Sequence, residues 1–186
     1  DWTPTTTNTS GSLRIGDGSK IIGATKSRGA ILVWTDTALH SLQFIGPPYT
    51  FGLQQLGANC GLVAQHACVD VKGVSFWMSQ NGFFIYDGAV KQLACTVQDY
   101  IFGTLDPSGQ NDIYCGVNTD FHEVIWFYPD TTSYSNLINK YVIYNYVDQV
   151  WTVGTMDRTT WFDRGVYSYP YATQYLPNST TNVTPT

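Results

Sequence analysis

Charge is scarce in this chain. Only 12% of its residues are Asp, Glu, Lys or Arg, about half the usual share. The nine basic residues are scattered and outnumbered by 14 acidic ones, for a net charge of −5. A protein that grips DNA phosphates needs clustered Lys and Arg, so the charge balance argues against that class. An acidic surface does suit a protein that lets nucleic acid pass without sticking, because like charges repel. No apolar run approaches the roughly 18 residues of a transmembrane helix, so no membrane span is expected. No window carries a sustained 3.6-residue apolar period, which argues against a helical architecture.

Reactive groups are equally sparse. The four cysteines at 60, 68, 95 and 115 form no C-x-x-C pair and sit among apolar or small residues. Buried free thiols are expected, since 186 residues can bury a core without disulfide staples. Of the three histidines, His40, His66 and His122, none stands at metal-ligand spacing to another, and His66-x-Cys68 is only a weak two-ligand pattern. No calcium loop, G-x-S-x-G elbow or phosphate-cradling loop is present. The carboxylates most open to a catalytic reading are Asp120, Glu123, Asp157 and Asp163. A propeller sialidase would also need an arginine cluster and Asp-box repeats, yet the only arginines are 14, 28, 158 and 164. The expectation is no catalytic residue, no cofactor and no metal. The chain starts Asp1-Trp2 with neither initiator Met nor signal peptide, as a fragment or processed chain would.

What is abundant is aromatic residues, at 15%, and glycine, with 17. Both favour sheets and tight turns. The stretch Val69–Leu93 contains Asn81-Gly82 and Asp87-Gly88, each between β-forming runs, and both dipeptides suit type I′ hairpin turns. With a further turn at Gly73, strands are expected near 66–71, 74–79, 83–86 and 90–94, a four-stranded antiparallel meander.

Residues 1–12 have linker composition. Strands follow at 21–24, 30–35 and 38–45, then Gly46-Pro47-Pro48 stops the last of these and 49–56 begins another. Residues 96–105 are the best helical candidate, with Thr96 as N-cap. Strands at 112–118, 123–128, 140–145 and 150–153 make a third unit, and a further pair opens at 160–162 and 166–169. The segment 171–186 reads as an extended polar tail. Asn8, Asn178 and Asn182 head glycosylation-type triplets that such Thr/Asn-rich segments produce by chance.

The second strands align. Trp34, Trp77 and Trp126 recur 43 and 49 positions apart, each with a hairpin partner following. Four strands per unit at a 40–50-residue period is the signature of propeller blades. The expected fold is therefore all-β, antiparallel four-stranded blades of a partial β-propeller, with blades at 13–57, 58–105 and 106–156. A β-sandwich with coincidental spacing is the alternative. Three units do not close a ring of about 4–8 blades, so further blades or partner surfaces are expected at the open ends. The cluster Arg158, Trp161, Asp163 and Arg164 reads either as an inter-blade staple or as a subunit contact. Tyr49 and Phe51 in loop 46–57, and loop 129–139, are further contact candidates.

Several motifs carry a resemblance. They are Val33-Trp34-Thr35-Asp36, Gly46-Pro47-Pro48-Tyr49-Thr50-Phe51-Gly52 and Gly73-Val74-Ser75-Phe76-Trp77-Met78. Phe83-Phe84-Ile85-Tyr86-Asp87-Gly88, Trp126-Phe127-Tyr128-Pro129 and Tyr144-Asn145-Tyr146 with Trp151 add to them. Together they resemble bacteriophage virion structural proteins. The layout over 13–170 is similar to propeller proteins of short-tailed phages that stabilise packaged DNA or form the tail nozzle. The resemblance implies a homo-oligomeric ring in the virion, at the tail or head-to-tail connector, meeting the portal or adaptor and letting DNA pass. It supplies no catalytic residue. The alternative function is a tail module that binds host glycans or receptors through exposed aromatics.

Overall fold

A computed structural model of the chain describes residues 3–5 and 8–175. Three four-stranded antiparallel sheets follow one another, each an up-and-down meander in chain order. The first holds β1 (Ile21–Ser27), β2 (Ala30–Thr35), β3 (Ala38–Gly46) and β4 (Thr50–Ala58). The second holds β5 (Cys68–Val71), β6 (Val74–Ser79), β7 (Gly82–Tyr86) and β8 (Val90–Leu93). The third holds β9 (Tyr114–Asn118), β10 (Glu123–Tyr128), β11 (Lys140–Asn145) and β12 (Val150–Thr155). The chain is thus mostly β, built chiefly of antiparallel four-stranded units. β13 (Thr160–Phe162) then pairs with β14 (Tyr171–Thr173). The second strand of that pair was expected at 166–169, and Tyr171–Thr173 was expected in the polar tail. The triplets at Asn178 and Asn182 lie outside the described residues.

Turn chemistry sets the hairpins, though not at the expected dipeptides. Lys72 and Gly73, at φ 52° and 85°, join β5 to β6, and two positive φ values are what a type I′ turn requires. At Asn81-Gly82 the loop is Gln80-Asn81, because Ser79 pairs with Gly82. At Asp87 the loop takes in Ala89 as well, with Tyr86 opposite Val90. There the Asp87 carboxylate accepts the Ala89 N–H at 3.4 Å and the Lys91 ammonium at 2.7 Å. The side chain closes that turn, and only Gly88 needs positive φ.

The recurrent tryptophans are the centre of the core. Trp34, Trp77 and Trp126 are fully buried in β2, β6 and β10. The Trp77 indole donates to the Cys60 carbonyl at 2.8 Å, and that of Trp126 to the Ala67 carbonyl at 3.0 Å. Both acceptors lie in the segment linking the first sheet to the second. Trp34 meets Trp77 edge-on at 5.5 Å, and Phe83 of β7 meets Trp126 at 4.9 Å and Trp151 at 4.8 Å. One apolar cluster therefore runs through all three sheets. The first strands are neighbours in turn: β1 touches β5, β5 touches β9, and β9 touches β13.

The helix α1 (Gln98–Thr104) is shorter than expected, and Val97 rather than Thr96 stands at its N-cap, with no side-chain cap. Ile101 is its buried anchor, while Tyr100, one residue earlier, is exposed.

The 129–139 loop is closed by its own polar network. Asp130 is buried and accepts hydrogen bonds from Asn139 Nδ2 (2.8 Å), Thr132 N (2.9 Å) and Thr132 Oγ1 (2.6 Å). Lys140 Nζ stands 3.5 Å away. Burial raises the Asp130 pKa, but the Asn139 and Thr132 hydrogen bonds outweigh it and hold the carboxyl below its ordinary range. Replacing Asp130 by Ala is expected to cost about 2–4 kcal/mol, because it orphans several donors and a half-buried ammonium. The folded pKa is depressed, so the carboxylate's stabilisation is present above the unfolded value of 3.8 and is lost as pH falls through the folded value. Urea denaturation at neutral pH and in acid checks both: the wild-type advantage over Asp130→Ala should shrink in acid.

Candidate functional site

Exposed aromatic rings touch one another at two places, the opposite ends of the sheet stack, while Phe121, Val147, Val150 and Tyr100 are exposed elsewhere. At one end is the face of the first sheet turned away from Trp34. Residues two apart in a strand share a face, and the pairings place Ile31 opposite Leu42, Leu42 opposite Leu53, and Phe44 opposite Phe51. Phe44 is 69% exposed and Phe51 is 45% exposed, and their rings meet edge-on at 5.9 Å. Tyr49, 79% exposed, stands at the β3–β4 hairpin tip, whereas Ile45 turns to the other face and packs over Gly52. Beyond Leu42, β3 is paired only with β4, so this hairpin projects past β2.

At the other end stands the β13–β14 pair. Tyr167 meets Phe162 at 6.4 Å and Tyr171 at 4.9 Å, both edge-on, and all three rings are exposed together with Val166 and Tyr169.

The remaining contact candidates divide between inner and outer roles. The Trp161 indole donates to the Val117 carbonyl at 2.8 Å and lies over Gly116, where a Cβ would come within 2.6 Å of the ring. Asp163 accepts the Thr119 N–H at 3.3 Å, and Arg164 pairs with Asp120 at 2.8 Å. These three residues fasten β13 to the β9–β10 side of the third sheet. Arg158 instead donates to the Asp157 carbonyl and, at 3.2 Å, to Gln174, on the exposed flank of the β13–β14 pair. The four candidate catalytic carboxylates each have a local partner: Asp120 has Arg164, Glu123 has Asn118, Asp157 has Gln174 and Asp163 has Thr119.

The thiols are unpaired and shielded. Cys60 and Cys115 are buried, and Cys68 and Cys95 partly so. Burial pushes the Cys68 thiol up to about 12, and burial, then the neighbouring Cys68, raises Cys115. At neutral pH Cys68 then holds ~1000-fold less thiolate than a thiol at 9.0. Native protein treated with iodoacetamide is expected to keep Cys60, Cys68 and Cys115 unmodified by mass spectrometry, with all four cysteines reacting in urea. Among the described residues no group of three or more His, Cys, Asp or Glu is placed to hold a metal, and no helix is long and apolar enough to cross a membrane.

Sequence reasoning missed a cleft of about 980 Å³ between the second and third sheets. Its walls are Phe76, Tyr144, Tyr146 and Trp151, with Arg28, Lys72 and Lys91 among its other lining residues. Phe76 and the Tyr144–Trp151 run lie far apart in sequence, so only the packing of one sheet on the next brings them together.

No family model matches the chain, and no curated protein matches it.

Proposed function

We propose that the chain is a non-enzymatic structural component of a phage tail or head-to-tail connector. In this reading its sheets are blades of a β-propeller, and its copies join in a ring that encloses the DNA channel. The observation that carries the reading is the pair of apolar ends: the Ile31–Phe44–Phe51 face on the first sheet, and the Phe162–Tyr167–Tyr171 cluster on the last strands. Contiguous exposed apolar surface marks interaction sites. Two unlike patches on one subunit make heterologous, head-to-tail contacts, which close into a ring when the rotation from one subunit to the next is a whole fraction of a turn.

The propeller geometry is supported by the chain of neighbouring first strands, β1 to β5 to β9 to β13, together with the up-and-down order inside each sheet. The virion setting rests on the resemblance carried by motifs such as Gly46–Gly52 and Gly73–Met78. A net charge of −5 suits a channel wall along which DNA slides, with the portal or adaptor as the neighbour. Electron cryo-microscopy of particles carrying the chain tests this. A rotationally symmetric ring on the DNA path is expected, with an acidic lumen. A lumen lined by clustered Lys and Arg, or a chain scattered without symmetry, contradicts it.

A further inference from the structure

We propose that the cleft between the second and third sheets is a binding site for an acidic saccharide, a sugar carrying a carboxylate.

The floor is an unbroken strip of rings. His122 meets Tyr146 at 5.7 Å, Tyr146 meets Phe76 at 5.9 Å, Phe76 meets Tyr144 at 6.2 Å, and Tyr144 meets Trp151 at 4.6 Å. Trp151 is held in place, since its indole donates at 2.8 Å to the carbonyl of Ala94, itself in the lining. Phe76 and Tyr144 are buried and back the row, so the apolar surface offered to the C–H faces of pyranose units is that of Trp151, Tyr146 and His122. Neither the Tyr144 nor the Tyr146 phenol has a hydrogen-bond partner among the described residues, although both line the cleft. Burial raises the pKa of both, and the Asp163 charge adds to it at Tyr146, so they remain donors at any ordinary pH. The Gln92 and Gln149 amides, also in the lining, add paired donor and acceptor groups of the kind hydroxyls require.

Charge selects the ligand. Three cations and one carboxylate line the cleft: Arg28, Lys72, Lys91 and Asp87. Asp87 is taken by Lys91 at 2.7 Å, which leaves Arg28 and Lys72 without a carboxylate partner among the described residues. Both are positioned by turns. Lys72 occupies the first positive-φ place of the β5–β6 turn, and the Arg28 side chain packs where a Cβ on Gly73 would stand. A local excess of positive charge in a chain of net charge −5 is complementary to one anionic group. The same overall charge repels a long polyphosphate, which favours a short acidic sugar over a nucleic acid strand. The volume, about 980 Å³, is at the upper end of small-ligand pockets.

The test is isothermal titration of the full chain with 3′-sialyllactose and with trigalacturonate, using lactose and a thymidine oligonucleotide as comparisons. Binding of at least one acidic sugar is expected. Lactose should bind about tenfold or more weakly, and affinity should fall as salt rises. Arg28→Gln with Lys72→Gln should weaken the acidic sugar by about tenfold or more, while leaving any neutral sugar binding unchanged. Tyr146→Phe, which keeps the ring and the fold, should weaken both sugars. The proposal is overturned by no heat from either acidic sugar up to about 10 mM. Binding indifferent to the double Gln variant, or a preference for the oligonucleotide, also overturns it.

Discussion

Phe44→Asp with Phe51→Asp is expected to leave a folded monomer that no longer assembles. These two rings stand opposite each other on β3 and β4 and are 69% and 45% exposed, so little folded-state packing is lost. The stability change should stay within about 1 kcal/mol, as for most surface substitutions. Assembly is another matter. Aromatic anchors at the centre of an interface contribute about 2–4 kcal/mol each, and a carboxylate forced into their place must also be desolvated. Two such changes should weaken association by ~1000-fold or more. Size-exclusion chromatography with light scattering, beside a thermal melt, separates the two effects. A matching pair at the other end, Tyr167→Asp with Tyr171→Asp, should act in the same direction. Mixed with the first variant it should restore a single intact contact, giving heterodimers and no larger species, because head-to-tail interfaces join unlike patches.

Trp126→Ala is the substitution expected to harm the fold most. The side chain is fully buried at the meeting of the second and third sheets, against Phe83 and within ring contact of Trp151 at 6.2 Å. Removing so large a buried aromatic costs about 3–5 kcal/mol in transfer and cavity terms. The Ala67 carbonyl also loses its 3.0 Å donor in a buried setting, which adds about 1–3 kcal/mol. The sum is a large part of the 5–15 kcal/mol that usually holds a domain together. Urea denaturation followed by far-UV circular dichroism should find a much lower midpoint or no folded baseline. Trp161→Ala is the informative contrast. That ring is only part-buried and fastens β13 to the third sheet, so it should loosen the β13–β14 end and leave the three main sheets melting as before.

Much of this architecture was legible in the residues. Strands β6, β10 and β11 begin and end within a residue of where alternation and turn residues placed them, because a sheet buried on both faces writes near-continuous apolar runs such as Val74–Ser79 and Glu123–Tyr128. The Trp34–Trp77–Trp126 recurrence was legible as a repeat of four-stranded units, and each copy lies fully buried in the second strand of its own sheet. What misled were local signals that tertiary contacts override. Asn81-Gly82 reads as a type I′ turn, yet the β6–β7 register puts Gly82 inside β7. Thr96 has the side chain of an N-cap, but the helix starts later, anchored by Ile101 in the core. Loop 129–139 reads as a polar contact loop, and its sequence gives no sign that Asp130 draws Asn139, Thr132 and Lys140 around itself. The cleft was illegible for a different reason: Phe76, Tyr144 and Trp151 become one strip only when two sheets stack. Among the contact candidates of loop 46–57, Tyr49 lies in the β3–β4 turn but Phe51 falls within β4, and its meeting with Phe44 depends on strand register.

The most direct measurement is the native mass of the purified chain across a concentration series. The account predicts one closed species at a whole-number multiple of 20.7 kDa, present without a ladder of intermediate lengths. A particle that stays at 20.7 kDa at every concentration would contradict it, because the two apolar ends would then have no partner in each other.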